Sequence, residues 1–238
     1  MILGDVCTRN CRYCAVTKGV PRAPDPEEPE HVAYAVSHLK LAHAVITSVD
    51  RDDLPDFGAG HFAATIKAVR AHNPATRIEV LIPDFKGDAA ALQTVLDPEP
   101  NVLNHNIEPV PRLFPVLREK GDFKLSLDLL ARADRYRVAH HVPMVTKSGL
   151  MVGLGETIDE LREVMDRQRA VSCDVITLGQ YLNPTIEHVP IDRFYTLEEF
   201  ALLKREAISR GFCHVEAGPL VRSSYHAAAH VPVNTNSI

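Results

Sequence analysis

Short runs of β-branched and aliphatic residues alternate with stretches of helical period along nearly the whole chain. Strand-length apolar runs fall at residues 1–6, 44–49, 78–82, 102–107, 142–152 and 174–178, with a last short run at 213–217. Runs of this length, bounded by turn residues, read as strands. Between them, apolar residues recur every three or four positions over 31–40, 60–71, 111–120 and 123–138, which predicts helices. Asp88 stands where it can cap a short helix to Leu96, its carboxylate accepting from free first-turn amides. Thr157-Ile158-Asp159-Glu160 and Thr196-Leu197-Glu198-Glu199 are capping boxes, opening helices that run to about 170 and 211. The proline-rich stretch 21–29 reads as a surface linker. Strands alternating with helices imply right-handed βαβ units and a parallel sheet. Six main strands predict an α/β fold, a partial (β/α)6 TIM-like barrel over residues 1–217, followed by a polar tail over 218–238.

In such folds the reacting groups gather at the carboxyl ends of the strands. The polar loops that leave the strands therefore deserve the closest reading. The bulk composition changes this picture little. The chain has 238 residues, 45% hydrophobic and 24% charged, with a net charge of −5 that gives no electrostatic footprint for nucleic acid. No apolar run approaches the roughly 18 residues of a transmembrane helix, and no secretory signal is visible. Five cysteines are an odd number, and a chain of this size needs no covalent staples. A reducing, cytoplasmic setting is expected, with neither nucleic acid nor membrane as partner.

Three of those cysteines carry the chemistry. Cys7-Thr8-Arg9-Asn10-Cys11-Arg12-Tyr13-Cys14 leaves the first apolar run as Cys-x3-Cys-x2-Cys. Structural zinc wants a fourth ligand from a second Cys or His pair, and neither Cys173 nor Cys213 belongs to one. Three thiolates from one loop can instead hold three corners of a four-iron cluster and leave one iron open. The spacing, with Tyr13 before the third cysteine, resembles the signature of radical S-adenosylmethionine enzymes.

Other loops add polar groups on the same side. Thr47-Ser48-Val49-Asp50 leaves the second run, where backbone and hydroxyl groups can hold an amino-acid moiety; read blandly, it is a solvated turn. Asn104-His105-Asn106-Ile107-Glu108 leaves the fourth; alternation sets Asn104 and Asn106 on one face and turns His105 away, as a core histidine would be. Residues 147–156, from Lys147 through Gly149, Gly153, Gly155 and Glu156, are glycine-rich without the spacing of a dinucleotide fingerprint. They form either a tight turn or a backbone surface against a flat ring. In the tail, Arg222-Ser223-Ser224-Tyr225-His226 is unusually rich in functional groups, but has no Asp in range for a triad.

Together, residues 2–11, 47–55, 104–108, 147–157, Gly179-Gln180-Tyr181-Leu182 and 222–226 resemble the lipoyl synthase family of radical S-adenosylmethionine enzymes. The resemblance spans the chain in order. It implies a 4Fe–4S cluster on Cys7, Cys11 and Cys14 that cleaves S-adenosylmethionine, and hydrogen removal at C6 and C8 of an octanoyl chain on a carrier lysine. Sulfur would come from a second, auxiliary 4Fe–4S cluster. Carried over by position, Tyr13, Thr47, Ser48, Asp50, Asn106 and Glu108 are expected S-adenosylmethionine contacts, with Lys147, Gly153 and Gly155 as further ones. Ser224, or else Ser223, is the expected auxiliary-cluster ligand, with Arg222 beside it.

The implied partners are octanoylated lipoyl domains, namely 2-oxoacid dehydrogenase E2 subunits and the glycine cleavage H protein. The implied electron donor is a ferredoxin or flavodoxin. The family's auxiliary cysteines, Cys-x4-Cys-x5-Cys, normally precede the first run, so a truncated reading frame with these cysteines encoded just upstream is expected. The competing readings are a methylthiotransferase or biotin-synthase-like enzyme, or a non-catalytic iron–sulfur or zinc module that senses iron or redox state.

Overall fold

In the computed structural model, which describes residues 1–230, the chain opens on a small parallel pair, β1 (Val6–Cys7) and β2 (Thr17–Lys18), that brackets the cysteine loop. Helix α1 (Glu28–His38), β3 (His43–Thr47), α2 (Ala59–His72), β4 (Arg77–Leu81), α3 (Ala89–Leu96) and β5 (Val102–Asn104) follow. Then come α4 (Phe114–Leu117), α5 (Phe123–His140), β6 (Val145–Val152), α6 (Ile158–Ala170), β7 (Val175–Gln180), α7 (Leu197–Ser209) and β8 (His214–Gly218). Strands β3 to β8 form one parallel sheet in sequence order, the open six-stranded barrel expected. Its outer layer is helical. Ile46, Val80 and Leu103 pack against Phe62, Ile66 and Leu92, and Leu150, Ile176 and Val215 pack against Leu161, Met165 and Leu203.

The helix starts follow local chemistry. Thr157 Oγ1 accepts from Glu160 N at 3.2 Å while Glu160 Oε2 accepts from Thr157 N at 2.8 Å. Thr196 and Glu199 repeat the reciprocal pair at the same two distances. Asp88 Oδ1 caps α3 by accepting from Ala91 N at 2.8 Å.

The first apolar run is not a strand of the barrel, and only its last residue, Val6, enters the small pair as part of β1. Only Ile2 bridges to the sheet, its amide donating to Thr47 O at 2.8 Å. Leu3 and Gly4 then take positive φ of 67° and 89° and turn the chain away. The Leu3 amide is met by the Glu28 carboxylate at 2.7 Å instead of by a strand. Both Ile2 and Leu3 remain buried, so hydrophobicity there records burial without extension. The sixth barrel strand is β8, the short run at 213–217. The stretch 21–29 is not wholly a linker either, because α1 begins at Glu28 and buries Pro29 in its first turn, where a missing N–H costs nothing. The helix expected over 111–120 is a short 3-10 turn (Pro111–Leu113) and the single turn α4. The strand expected over 102–107 ends at Asn104.

Candidate functional site

The cysteine loop is held against the barrel mouth by its intervening residues. Thr8 Oγ1 donates to Asp50 O at 2.9 Å and accepts from Asp52 N at 3.0 Å. Arg9, 2% exposed, donates to both Asp52 and Asp84, at 2.9 Å and 2.6 Å from Nη2. The loop is thereby tied to the segments that follow β3 and β4. Cys14 N donates to Cys11 O at 3.1 Å, a tight turn that brings the last two thiols round to one side. Lys120 Nζ donates to Thr8 O at 2.9 Å, closing the loop from the α4 side.

Cys7, Cys11 and Cys14 are half-buried and line one cavity of about 240 Å³. Thr47, Ser48 and Asp50 from the end of β3, Asn106 and Glu108 from beyond β5, and Tyr13 line it too. A second lobe of about 220 Å³ shares Tyr13, Asn106 and Glu108, and continues past Gly149, Thr177, Gln180, Arg222 and Ser223. At Gly149, which lines the second lobe, a Cβ would sit 2.8 Å from both Asn106 Oδ1 and Thr177 Oγ1, so only glycine leaves these two side chains where they are.

Burial dominates the electrostatics here. It raises the Cys7 and Cys11 thiols above their ordinary value. It also raises the Asp50 and Glu108 carboxyls, against the opposing pull of Arg9 and Arg118 on Asp50 and of Asn106 and Arg118 on Glu108. Buried carboxyls in one cavity suit a cationic ligand, which would restore their charged form. Two oxygens on cavity-lining residues, Ser48 Oγ and Asn106 Oδ1, are buried without a hydrogen-bond partner, and Asp50 Oδ1 is buried with the Arg9 guanidinium Nε facing it at 3.3 Å. Buried polar atoms are rarely left so, and each needs an account. A polar, positively charged amino-acid ligand supplies one, and a four-iron cluster suits three thiols on one loop. The residues present fit both groups.

The expected contacts divide into two sets. Tyr13, Thr47, Ser48, Asp50, Asn106 and Glu108 come together with the cysteines; Lys147, Gly153 and Gly155 do not. Lys147 is fully buried in the barrel, its Nζ donating to Glu79 Oε1 at 2.7 Å and to Ser223 O. Gly153 and Gly155 form the turn after β6 at φ of 93° and 99°, where Glu156 accepts from the amides of Gly153 and Leu154. They line neither lobe. In the tail, Ser223 faces the cavity and accepts from Asn106 Nδ2 at 2.5 Å, whereas Ser224 is exposed. Arg222 lines the second lobe.

His105 is the core histidine that alternation suggested. Its Nδ1 donates to Ile82 O at 2.9 Å, leaving Nε2 to accept from the Ser126 hydroxyl at 3.0 Å, and burial lowers its pKa to about 4. Cys173 is buried beside Val175 O and Cys213 is exposed, and neither lines the cavity. Two arginines that the sequence reading did not single out complete the site. Arg9 occupies a variable position of the cysteine motif, the only signal it gave. Arg118 donates to Asn106 O at 2.9 Å and to Ile107 O at 3.3 Å, and nothing in its helical context announced it.

The family model of the radical SAM superfamily matches residues 1–167. A lipoyl synthase of Roseiflexus sp. (strain RS-1) is 56% identical over 231 residues, 97% of this chain and 75% of the relative. The chain belongs to the lipoyl synthase family. A second member, from Symbiobacterium thermophilum, is 56% identical over 227 residues, 95% of this chain and 70% of that one. Among solved structures, Streptococcus suis SuiB bound to S-adenosylmethionine superposes with a TM-score of 0.66 at 9% identity, over 97% of this chain and 51% of that one. Coproporphyrinogen III oxidase from Escherichia coli gives 0.59 at 13% identity, over 86% and 50%. At those identities the likeness is one of fold, and it is the partial barrel of radical SAM enzymes. Family membership makes the chain an enzyme of the radical SAM class, with a 4Fe–4S cluster and S-adenosylmethionine as cofactors and an octanoylated carrier protein as substrate. Among the described residues no helix is long and apolar enough to cross a membrane.

Proposed function

We propose that this chain carries out sulfur insertion at C6 and C8 of a protein-bound octanoyl-lysine through the cavity at the carboxyl ends of β3, β5 and β6. Cys7, Cys11 and Cys14 hold the cluster. Ser48, Asp50 and Asn106 take the polar groups of S-adenosylmethionine, with Thr47, Tyr13 and Glu108 around them. The observation that carries this assignment is the pair of buried, unpartnered oxygens, Ser48 Oγ and Asn106 Oδ1, on residues that line the same cavity as the three thiols and the buried Asp50 carboxyl. When bound and reduced, the cluster supplies the electron that cleaves the sulfonium.

The chain's own part is orientation and shielding. Arg9 and Thr8 hold the cysteine loop still, and Gly149 leaves room for the Asn106 and Thr177 side chains beside the second lobe. Ser223, tethered by Asn106, and Arg222 border that lobe, which is where the octanoyl chain would lie. Ser223 is the better placed of the two tail serines for an auxiliary-cluster ligand. Among the described residues no cysteine lines the second lobe with it. Residues 1–217 act as the barrel and 218–238 as the tail, whose described part, 218–230, borders the second lobe through Arg222 and Ser223. The acceptors are lipoyl domains of E2 subunits and the H protein, the donor is a ferredoxin or flavodoxin, and the setting is cytoplasmic.

The test uses an octanoyl-lysine acceptor deuterated at C6 and C8, with S-adenosylmethionine and a reductant. Deuterium should appear in the 5′-deoxyadenosine released. Steady release of 5′-deoxyadenosine with no deuterium in it would refute the substrate assignment.

A further inference from the structure

Away from the cysteine cavity, β8 and the tail bring together a second set of donor groups. His214 and Glu216 are two apart on β8 and so project from the same face of the strand. Val215 between them packs on the helical layer with Leu203 and Ala207, which turns His214 and Glu216 towards the barrel side. The tail then runs back through a 3-10 turn (Ala227–Ala229) near β3, delivering His230 to the same place. The His214 and His230 rings lie 4.5 Å apart. One donor atom from each of His214, Glu216 and His230 lies within 4.8 Å of the others. None of the three residues lines either lobe of the cofactor cavity.

His230 is the telling member. It is 1% exposed, and both ring nitrogens are buried without a hydrogen-bond partner. A core histidine normally has both nitrogens met, as His105 does. We infer that His214, Glu216 and His230 form a binding site for one divalent transition-metal ion of the zinc type, joining the last barrel strand to the tail.

Two imidazoles and a carboxylate are a common donor set for such an ion. Ligand atoms around a tetrahedral ion stand about 3.3 Å apart, given metal–ligand bonds of about 2.05 Å. Donor atoms that lie within 4.8 Å of one another therefore need to close by up to about 1.5 Å, within the reach of side-chain χ rotations. At present His214 Nε2 lies 3.0 Å from Glu216 Oε1, the hydrogen bond the ion would replace. Lys204 Nζ stands 4.0 Å from Glu216 Oε2 and would have to swing outward. His226 Nδ1 comes within 3.6 Å of Glu216 Oε1 from the exposed side, leaving a position for a fourth ligand. Glu216, Tyr225 and His226 also line a surface pocket, which gives the ion a route in. Bound there, it would fix the segment that carries Ser223 and Ser224 without touching the cofactors.

The test uses the anaerobic, cluster-loaded chain, whose Cys7, Cys11 and Cys14 thiols are already engaged. Titration with Zn²⁺ should give one equivalent bound, weakened at least tenfold in H230F and in E216Q. Co²⁺ in its place should give visible bands without the near-ultraviolet charge-transfer absorption of thiolate ligation. Should H230F fail to fold, H214N and E216Q, both on partly exposed strand positions, carry the same comparison. No binding by the cluster-loaded chain, binding unaffected by these substitutions, or a Co²⁺ spectrum of thiolate type would each overturn the site.

Discussion

Asn106 Nδ2 donates to Ser223 Oγ at 2.5 Å, joining the segment after β5 to a tail residue 117 positions later. The same amide also donates to Glu108 Oε1 at 2.9 Å, while Asn106 Oδ1 is left unpartnered on a cavity-lining residue. One side chain thus sets the tail and offers a ligand contact. N106A should lower 5′-deoxyadenosine formation by about tenfold, the loss of one to two hydrogen bonds in a buried site. S223A, which removes only the tether, should cost about threefold or less. Equal effects of the two would mean that Asn106 acts through the tail alone.

Below the mouth, Lys147 and Glu79 form an ion pair with both side chains fully buried. Glu79 Oε1 also accepts from Asn104 Nδ2 at 3.0 Å, and His43 Nε2 lies 3.3 Å from Oε2. K147M should destabilise the fold by about 3–5 kcal/mol, because it strands a buried carboxylate. Adding E79Q to K147M should restore a large part of that loss. Denaturant unfolding of the three proteins measures both changes.

Asp84 gives the chain an acid-sensitive clamp. Burial works against its ionisation, yet the hydrogen bonds and charge of Arg9 outweigh burial and hold the carboxyl at about 2, below its ordinary 3.8. A folded-state pKa below the unfolded one contributes stability that is complete above about pH 4 and is lost as pH falls towards 2. The contribution is roughly 2 kcal/mol. The gap in urea midpoint between wild type and D84N should therefore narrow steadily between about pH 4 and pH 2. A constant gap would show that the Arg9 pairing does not set the Asp84 pKa.

The capping boxes supply a contrast. T157A should cost about 1 kcal/mol of stability and leave S-adenosylmethionine cleavage unchanged, since α6 begins beyond the cavity. A thermal melt alongside a turnover assay checks both halves.

The boxes at Thr157 and Thr196 were legible in the sequence because capping is a four-residue affair. The alternation that predicted the barrel was legible for a similar reason, as was the cysteine loop, whose three ligands lie within eight positions. The beginning of the chain misled because an apolar run predicts burial. Ile2 and Leu3 are buried, but a positive φ at Leu3 and Gly4 forbids the strand. Lys147 misled for the opposite reason. Its partner Glu79 lies 68 positions away, and no local pattern announces a charge folded into a barrel interior. Arg118 joined the site by the same long-range route, through carbonyls of Asn106 and Ile107. That Ser223 and not Ser224 meets Asn106 is visible only in the folded tail.

The central claim is that Cys7, Cys11 and Cys14 present an open iron to S-adenosylmethionine beside Ser48, Asp50 and Asn106. Electron paramagnetic resonance of the anaerobically reconstituted, reduced protein tests it most directly. Adding S-adenosylmethionine should change the cluster signal in wild type, and a C7A/C11A/C14A variant should lose the signal entirely. A cluster spectrum indifferent to S-adenosylmethionine, or one that survives loss of the three cysteines, would contradict the account.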